Sequence, residues 1–590
     1  GQNQDAIDLL REAARQGWWV CLKNLHLVTP WLPLLEKELK TLAALPPHPH
    51  FRCWLTTEPH LRFPPILLES SLKITYEAPP GIKKNLLRTL EAWNDPYFGK
   101  GEQLLRAQLL FVCAHFHAVV QERRSFIPQG WTKFYEFSSA DLQSACETVI
   151  GLVEASAAAA AGGGQGAAID WPTIRGVFEF AVYGSRVDND FDLRLVFEYL
   201  QIFFRPDVLD ARRGGQGATG GPIPVPPFPL PQSVRLSDYR KGVEGLADHD
   251  APNAFGLPAN VDRAVQRVNS EAVIHSLKQI EAGAVAGELD VGSLHLKGMG
   301  QQLHPFFATW EGATQPLALK KGGGAQDLPA AASASADLPP VESFVLNDTH
   351  QAMELVHKVD GALRAMQRVV SGAALLTPTI LREAQHLLRG SVPESWTLTW
   401  PAAPSSPIPF LNELARKAHL LKSVYSPRAT EGSILRQPVN LADFLHPEVF
   451  LNALRQQTAR LSGQAVDSLR LFTSFGPLSM QGAVSVEGLY LEGCSFNPSS
   501  ALLESSSRDA PQLTRLPPLS MGWVPASSSA DERPSSRPPS APPGGGAKTT
   551  VSMPVYVSLS REFFLCAVDM PTDSRQHRIL NSCAVFLSEH

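Results

Sequence analysis

The sequence has no C-x-x-C pair, no H-E-x-x-H, no G-x-S-x-G and no G-x-x-x-x-G-K-[ST]. A zinc ribbon, a zincin, a nucleophile elbow and a phosphate loop are thereby excluded. Its glycine clusters at 162–164, 322–324 and 544–546 lack the Lys-Ser/Thr step that would meet a β/γ-phosphate and Mg²⁺. Charge of one sign is missing too: 52 Lys+Arg against 57 Asp+Glu leave a net charge of −5. That balance argues against a general binder of nucleic acid or anionic membrane, and the pairs Lys83-Lys84 and Arg123-Arg124 read as solvated helix faces. No signal peptide is visible, and no stretch of about 18 uninterrupted apolar residues is expected to span a bilayer. The nearest, 104–120, is broken by Arg106, Gln108, His115 and His117. Membrane insertion is not expected.

The seven cysteines (Cys21, Cys53, Cys113, Cys146, Cys494, Cys566, Cys583) are far apart and mostly lie in apolar runs. They read as buried, reduced thiols of a cytosolic protein. His115 and His117 stand at i and i+2 of a helical pattern, so their rings diverge and cannot share a metal. Trp18, Trp19, Trp31, Trp54, Trp93 and Trp131 fall on apolar faces and read as core. No metal site and no complete active site emerges.

What is present is material for several cores. The chain has 590 residues, 44% hydrophobic and 8% aromatic, room for about three to five domains. It opens on Gly1 directly in a helical pattern (Ala6, Ile7, Leu9, Leu10, Ala13, Ala14), as the interior of a longer polypeptide would. Short apolar runs at 18–22, 51–57 and 72–76 read as strands, with a helix capped by Thr29-Pro30 between the first two. That is the pattern of an α/β layer, assigned to 1–80. Residues 81–155 are helical, 156–170 are an Ala/Gly linker, and 171–430 are helical with flexible inserts near 211–232 and 321–340. From 431 the character changes: strands are expected at 469–472, 483–491, 555–559, 563–568 and 584–587, around a disordered Ser/Pro/Gly-rich loop at 505–549. The fold class expected is therefore multidomain α+β.

Reading GWWVCLKNLHL (17–27) together with WLPLLEKEL (31–39) adds a resemblance. These segments resemble the sixth AAA+ module of dynein heavy chains, in which a strand ending L-K-N-x-H-L precedes a W-L-x-x-L-E-K-x-L helix. FRCWLTTE (51–58), YEAPPGIKKNLL (76–87), FHAVVQERR (116–124) and PQGWTKFYEF (128–137) continue it. So do GLPAN (256–260), VPESW (392–396), FLHPEVFLNALRQQTA (444–459), GLYLEGCSF (488–496) and MPVYV (553–557). YGSRVDNDFDLR (183–194) is similar to the family's Y-G-G-R-V-x-[ND]-x-x-D-x-R, with Ser185 in place of the second Gly, a change that questions the local turn geometry. Within the family the wording is most similar to the cytoplasmic branch that serves retrograde intraflagellar transport.

The resemblance implies a partial AAA+ α/β module with a helical small subdomain, then a helical carboxy-terminal domain ending in a β-barrel-like domain. Active AAA+ modules end the first strand in Asp-Glu; here Lys23-Asn24 stand there, and an ammonium and an amide supply neither a Mg²⁺ ligand nor a base. Thr56 and Thr57 hold the sensor-like tip of the next strand. No catalytic residue and no ATPase activity are expected of this chain alone, the parent being an ATP-driven, minus-end-directed motor with ATP and Mg²⁺ in upstream modules. Tyr183, Gly184, Arg186, Asp192 and Arg194 are expected to form an inter-domain joint, Arg186 pairing with a carboxylate or helix-end carbonyls. Implied partners are the rest of the heavy chain (motor ring and linker), microtubules through an upstream stalk, intermediate and light intermediate chains, and intraflagellar-transport trains. The implied location is cytoplasm, cytoskeleton and cilium or flagellum. An axonemal dynein fragment and a non-motor ciliary scaffold derived from a dynein end are the alternatives.

Overall fold

The computed structural model describes residues 3–44, 47–58, 60, 63–74, 79–161, 169–209, 223–287, 293–318, 338–476, 482–525 and 549–588. The chain is α+β and divides into two compact units, Gly1–Pro79 and Pro80–His590.

In the first unit, helix Asn3–Gln16 buries Ile7, Leu10, Ala13 and Ala14, one stripe at helical spacing. Gly17 at φ +79 ends it. Strands β1 (Trp19–Leu22) and β2 (Arg52–Leu55) pair in parallel, Val20 opposite Cys53. Between them the chain makes a 3-10 turn, Leu25–Trp31, so the helix expected from Thr29-Pro30 starts two residues later, as Leu32–Ala44. Val20, Leu32, Leu35 and Leu10 form the core. Period-2 alternation puts Val20 inward and sends Trp19 and Cys21 outward. Trp19 and Trp54 are consequently exposed and Cys21 is not a buried thiol; Trp18, just before the strand, is exposed as well, which corrects the core assignment of these four residues. No strand forms at 72–74, and 75–76 lie outside the described residues.

The second unit holds two large cores. One runs from Ile82 to Val261 and takes in Leu580 from near the end of the chain. At its centre is helix Leu104–Glu122, buried from Arg106 to Val120 on every face. By length and composition the stretch Leu104–Phe126 could cross a bilayer, contrary to the expectation above; its surface is taken up by protein instead. Helices Ile82–Ala92, Ser139–Ala161 and Asp190–Phe203 pack around it. Residues 156–161, expected as linker, continue the Ser139–Ala161 helix; 162–168 lie outside the described residues. The insert expected near 211–232 is packed where it is described: Ile223, Val225 and Leu230 are buried, and Phe228 meets Phe111 at 5.1 Å. Residues 211–222 and 321–337 are outside the description.

The other core joins helices Ser293–Thr314, Pro340–Val370, Pro407–Leu420 and Pro447–Ser462 to the strands. The strands are β3 (Val439–Asn440), β4 (Leu469–Ser474), β5 (Val484–Glu487), β6 (Tyr490–Glu492), β7 (Ser495–Asn497), β8 (Leu502–Glu504), β9 (Leu513–Arg515), β10 (Leu519–Pro525), β11 (Thr549–Tyr556), β12 (Phe564–Thr572) and β13 (Ala584–Phe586). They form a four-stranded sheet, β3-β5-β10-β4, and a seven-stranded sheet, β7-β8-β12-β11-β13-β6-β9. The 505–549 loop is therefore corrected in its first half: β9 and β10 fall inside it. β10 lies between β5 and β4, with Met521 opposite both Thr473 and Val484 and fully buried. A segment poor in apolar residues orders here because Leu519, Met521 and Trp523 alternate along β10 on a sheet that already has a core, and Leu516 joins the same core. Residues 526–548 lie outside the description.

Candidate functional site

The strand ends of the first unit bring Lys23, Asn24 and Thr56 together. Asn24 adopts the left-handed conformation, φ 57, which asparagine tolerates better than most residues. Its N–H donates to Thr56 Oγ1 at 3.0 Å, while Thr56 N–H donates to Leu22 O and Thr56 O accepts from Leu25 N, both at 3.0 Å. The Thr56 hydroxyl is thus taken up in tying one strand end to the other. Thr57 points elsewhere and donates to Glu58 O. Lys23 and Asn24 are exposed. An ammonium, an amide and an occupied hydroxyl do not fit Mg²⁺, and no group of three His, Cys, Asp or Glu among the described residues could hold a metal.

In the second unit the expected joint residues separate into three places. Tyr183 is buried against Phe116, rings edge-to-face at 4.8 Å, with its hydroxyl 3.2 Å from His117 Nδ1. Burial pushes the His117 ring down to about 4 and His115 to about 3, so both stay neutral. Gly184 sits so close to the preceding turn that a Cβ would lie 1.6 Å from Glu179 O. Ser185 belongs to a 3-10 turn, Gly184–Arg186, at negative φ, and donates to Ala181 O. The family's second glycine is not needed there, and the doubt about Ser185 is removed.

Arg186 forks onto Asp141 Oδ1 from Nε and Nη2, at 3.1 and 2.7 Å. Asp141 also accepts from Ser138 N–H and hydroxyl at the start of its helix. Burial works against the Asp141 charge, but these bonds together outweigh it and hold the carboxyl below the usual range. Both partners lie within the first core's helices, so this pair fastens that core to itself. Asp192 follows the Asn189 N-cap of helix Asp190–Phe203 and accepts from Thr132 N–H and hydroxyl and from Tyr135 hydroxyl. Burial raises its pKa. Arg194 is half-buried over the Phe191 ring, 4.9 Å from the centroid.

The contact between the two cores rests on a residue assigned above to a solvated face. Arg123 is fully buried. Nε donates to Gly130 O at 2.6 Å, Nη1 to Tyr199 Oη at 2.7 Å and to Phe255 O, and Nη2 to Leu580 O at 2.8 Å and Ser582 Oγ at 2.7 Å. All five guanidinium N–H groups are used. Around the clamp, Phe191 meets Phe564 at 5.7 Å, Gln576 donates to Glu198 at 3.1 Å, and Asn260 donates to Pro511 O at 3.2 Å.

Three family models divide the sequence as the cores do. The model of the dynein heavy chain region D6 P-loop domain matches residues 1–75, that of the dynein heavy chain AAA lid domain 106–261, and that of the carboxy-terminal domain of dynein heavy chains 301–587. The chain is similar over its whole length to cytoplasmic dynein 2 heavy chain 1 of Tripneustes gratilla, 38% identical over 596 residues, and of Homo sapiens, 36% over 590. It is 28% identical over 585 residues to a cytoplasmic dynein heavy chain of Dictyostelium discoideum, a match covering 95% of this chain and 11% of that protein. This chain belongs to the dynein heavy chain family. It spans 13% of the length of the first two relatives.

Proposed function

We propose that this chain is the carboxy-terminal part of the motor of an intraflagellar-transport dynein heavy chain, the part that closes the AAA+ ring and carries conformational change between ring and partners. The observation behind this reading is identity of 36–38% held across the entire sequence to cytoplasmic dynein 2 heavy chain 1. In this reading residues 1–80 belong to the large subdomain of the sixth AAA+ module. The small subdomain starts at 81 and extends past 155 to Val261, following the shared core, and the two sheets after 431 wall a barrel-like domain. ATP and Mg²⁺ serve upstream modules, microtubules bind through an upstream stalk, and intermediate chains, light intermediate chains and transport trains are partners of the whole complex in cytoplasm and cilium.

Lys23, Asn24, Thr56 and Thr57 then form a degenerate nucleotide edge with a structural role. Arg123, Asp192 and Arg194 belong to the joint that makes the lid and the carboxy-terminal domain move as one, and Tyr183, Gly184 and Arg186 brace the lid behind it. A ring transmits a nucleotide-driven change only through packed neighbours with discrete arrangements. Truncating a full-length motor just before Gly1 should abolish microtubule gliding; retained gliding would overturn this role. Mg·ATP titrated into the 590-residue protein should give no saturable heat at millimolar ligand, and a micromolar site would overturn the assignment of the strand ends.

A further inference from the structure

Beside the Arg123 clamp lies a cavity walled by Thr132 and Asp192 on one side and by Met553, Arg561, Arg578 and Ser582 on the other. Its two cationic walls are deeply buried, with Arg561 and Arg578 side chains at 2% and 0% exposure. Each pairs with one carboxylate, but through Nη2 alone. Arg561 Nη2 binds Glu492 at 2.8 Å and Ser582 O at 3.0 Å; Arg578 Nη2 binds Asp573 and Ser505, both at 3.0 Å. Arg561 Nε and Arg578 Nε and Nη1, buried as well, find no oxygen or nitrogen acceptor among the described residues, and Arg578 has only the weakly accepting Cys494 sulfur beside it. Orphaned charged donors are among the most expensive groups to bury, and they are rare without a ligand or water to receive them.

Asp192 does not relieve them. Its carboxylate is engaged by Thr132 and Tyr135 and makes no hydrogen bond to either arginine. The local surplus is therefore one of unsatisfied N–H donors, which calls for a species that only accepts. Water satisfies such a site poorly, since each water brings two hydrogens that need acceptors of their own. The cavity volume is ≈ 30 Å³, the room of about two waters. A nucleotide is excluded by size; a halide or a single small oxyanion fits.

We propose that this cavity binds a small inorganic anion, which completes the coordination of Arg561 and Arg578 and thereby strengthens the joint between the lid core and the carboxy-terminal core. Buried guanidinium groups suit this task because a fork of N–H donors remains charged at any physiological pH. An anion held there links the wall built by Thr132 and Asp192 to the wall built by residues 553–582.

The test uses the 590-residue protein. Its melting temperature is followed at fixed ionic strength while sodium gluconate, too bulky for the cavity, is replaced by sodium bromide, and separately by sodium phosphate. A saturable rise with either small anion is expected, and crystals grown in bromide should show an anomalous peak between Arg561 and Arg578. Arg578→Lys keeps the charge facing Asp573 and removes the Nε and Nη1 donors, so the half-saturating concentration should rise about tenfold or more. Arg561→Lys, which keeps the charge facing Glu492, is the second variant should the first not fold. A bromide peak paired with a flat phosphate titration identifies a halide site, and the reverse an oxyanion site; both support the proposal. Melting that is indifferent to the anion, a cavity holding water only, or an unchanged half-saturating concentration in the folded variants would overturn it.

Discussion

Arg123 Nη2 donates to the Leu580 carbonyl at 2.8 Å across 457 residues of sequence. Leu580 is the last residue of helix Arg575–Leu580, so the acceptor is one of the helix's unpaired terminal carbonyls and carries its partial negative charge. A buried cation is thus held without a bonded carboxylate, by four neighbouring carbonyl and hydroxyl acceptors plus this helix end. The arrangement ties the end of helix Leu104–Glu122 to the end of the chain.

Arg123→Ala should therefore be among the most damaging single changes in the molecule. It removes all five bonds to Arg123, leaving Gly130 O and Leu580 O without that donor while Phe255 O keeps the Tyr199 hydroxyl, and it opens a cavity where the guanidinium was. Each unsatisfied buried group costs about 1–3 kcal/mol, so a loss of about 4 kcal/mol or more is expected in urea unfolding. Arg124→Ala, one residue on, should stay within about 0.5 kcal/mol. Equal losses at the two positions would refute the clamp.

Arg186→Ala should cost much less, although two of its donors converge on Asp141 Oδ1. The Arg186 side chain is 50% exposed, and Asp141 keeps both Ser138 donors after the change. About 1 kcal/mol or less is expected. Asp141→Ala should cost more, because it also strips the start of helix Ser139–Ala161. Reversal of that order would show that the guanidinium, not the helix start, holds the segment.

These contrasts mark what could be read from the sequence. Local pattern sufficed for the helix stripe of Ile7, Leu10, Ala13 and Ala14 and for the parallel pair at Trp19–Leu22 and Arg52–Leu55. It failed where a residue's environment is supplied from far along the sequence. Arg123 looks like half of a surface pair until Phe255 and Leu580 are brought to it, and Arg561 and Arg578 carry no local sign of burial. Composition misjudged 505–525 for the same reason, since partners at 473 and 484 order β10. Trp19 and Trp54 erred in the other direction: apolar identity promised burial, but strand alternation faces them outward in their unit.

Gly184→Ala and Ser185→Gly form a paired test of the Y-G-S-R turn. A methyl group at 184 would meet the Glu179 carbonyl at 1.6 Å, backbone against backbone, with no flexible side chain able to yield. A loss of about 3 kcal/mol or more, or failure to fold, is expected. Ser185→Gly forfeits one hydrogen bond to Ala181 and adds backbone freedom, for about 1 kcal/mol. A neutral Gly184→Ala would mean that the close approach is absent in solution.

Stability should decline as pH rises through neutrality because of His446. Its Nδ1 lies 2.8 Å from Asp348 Oδ1, and its Nε2 lies 2.8 Å from Thr399 O. The Asp348 bond raises the ring's pKa against the opposing effect of burial. The folded state thus holds this proton to higher pH than the unfolded state, whose histidines titrate near ~6.5. The stabilisation is complete below that value and fades as pH climbs through the folded one. Urea midpoints of the parent and of His446→Gln should differ more at pH 6 than at pH 8.5. A constant difference would remove the ion pair from the account.

Met521→Ala tests the reassignment of residues 505–525. Met521 is fully buried in β10, paired with Thr473 on one side and Val484 on the other, in the sheet that packs against helix Pro447–Ser462. Truncating it removes three heavy atoms from a close-packed layer that can collapse only by bending two neighbouring strands, so about 2–4 kcal/mol should be lost. Arg508→Ala, thirteen residues earlier and exposed, should be neutral within about 0.5 kcal/mol. The pair separates two physical pictures of the same Ser/Pro-rich stretch. In a segment that solvates itself, neither substitution changes the unfolding midpoint. In a strand held at the centre of a sheet, only the buried one does, and hydrogen exchange at Gly522 and Val524 should be slow in the parent protein and quicken with it. Exchange at the rate of a free peptide in the parent would rule out the central strand.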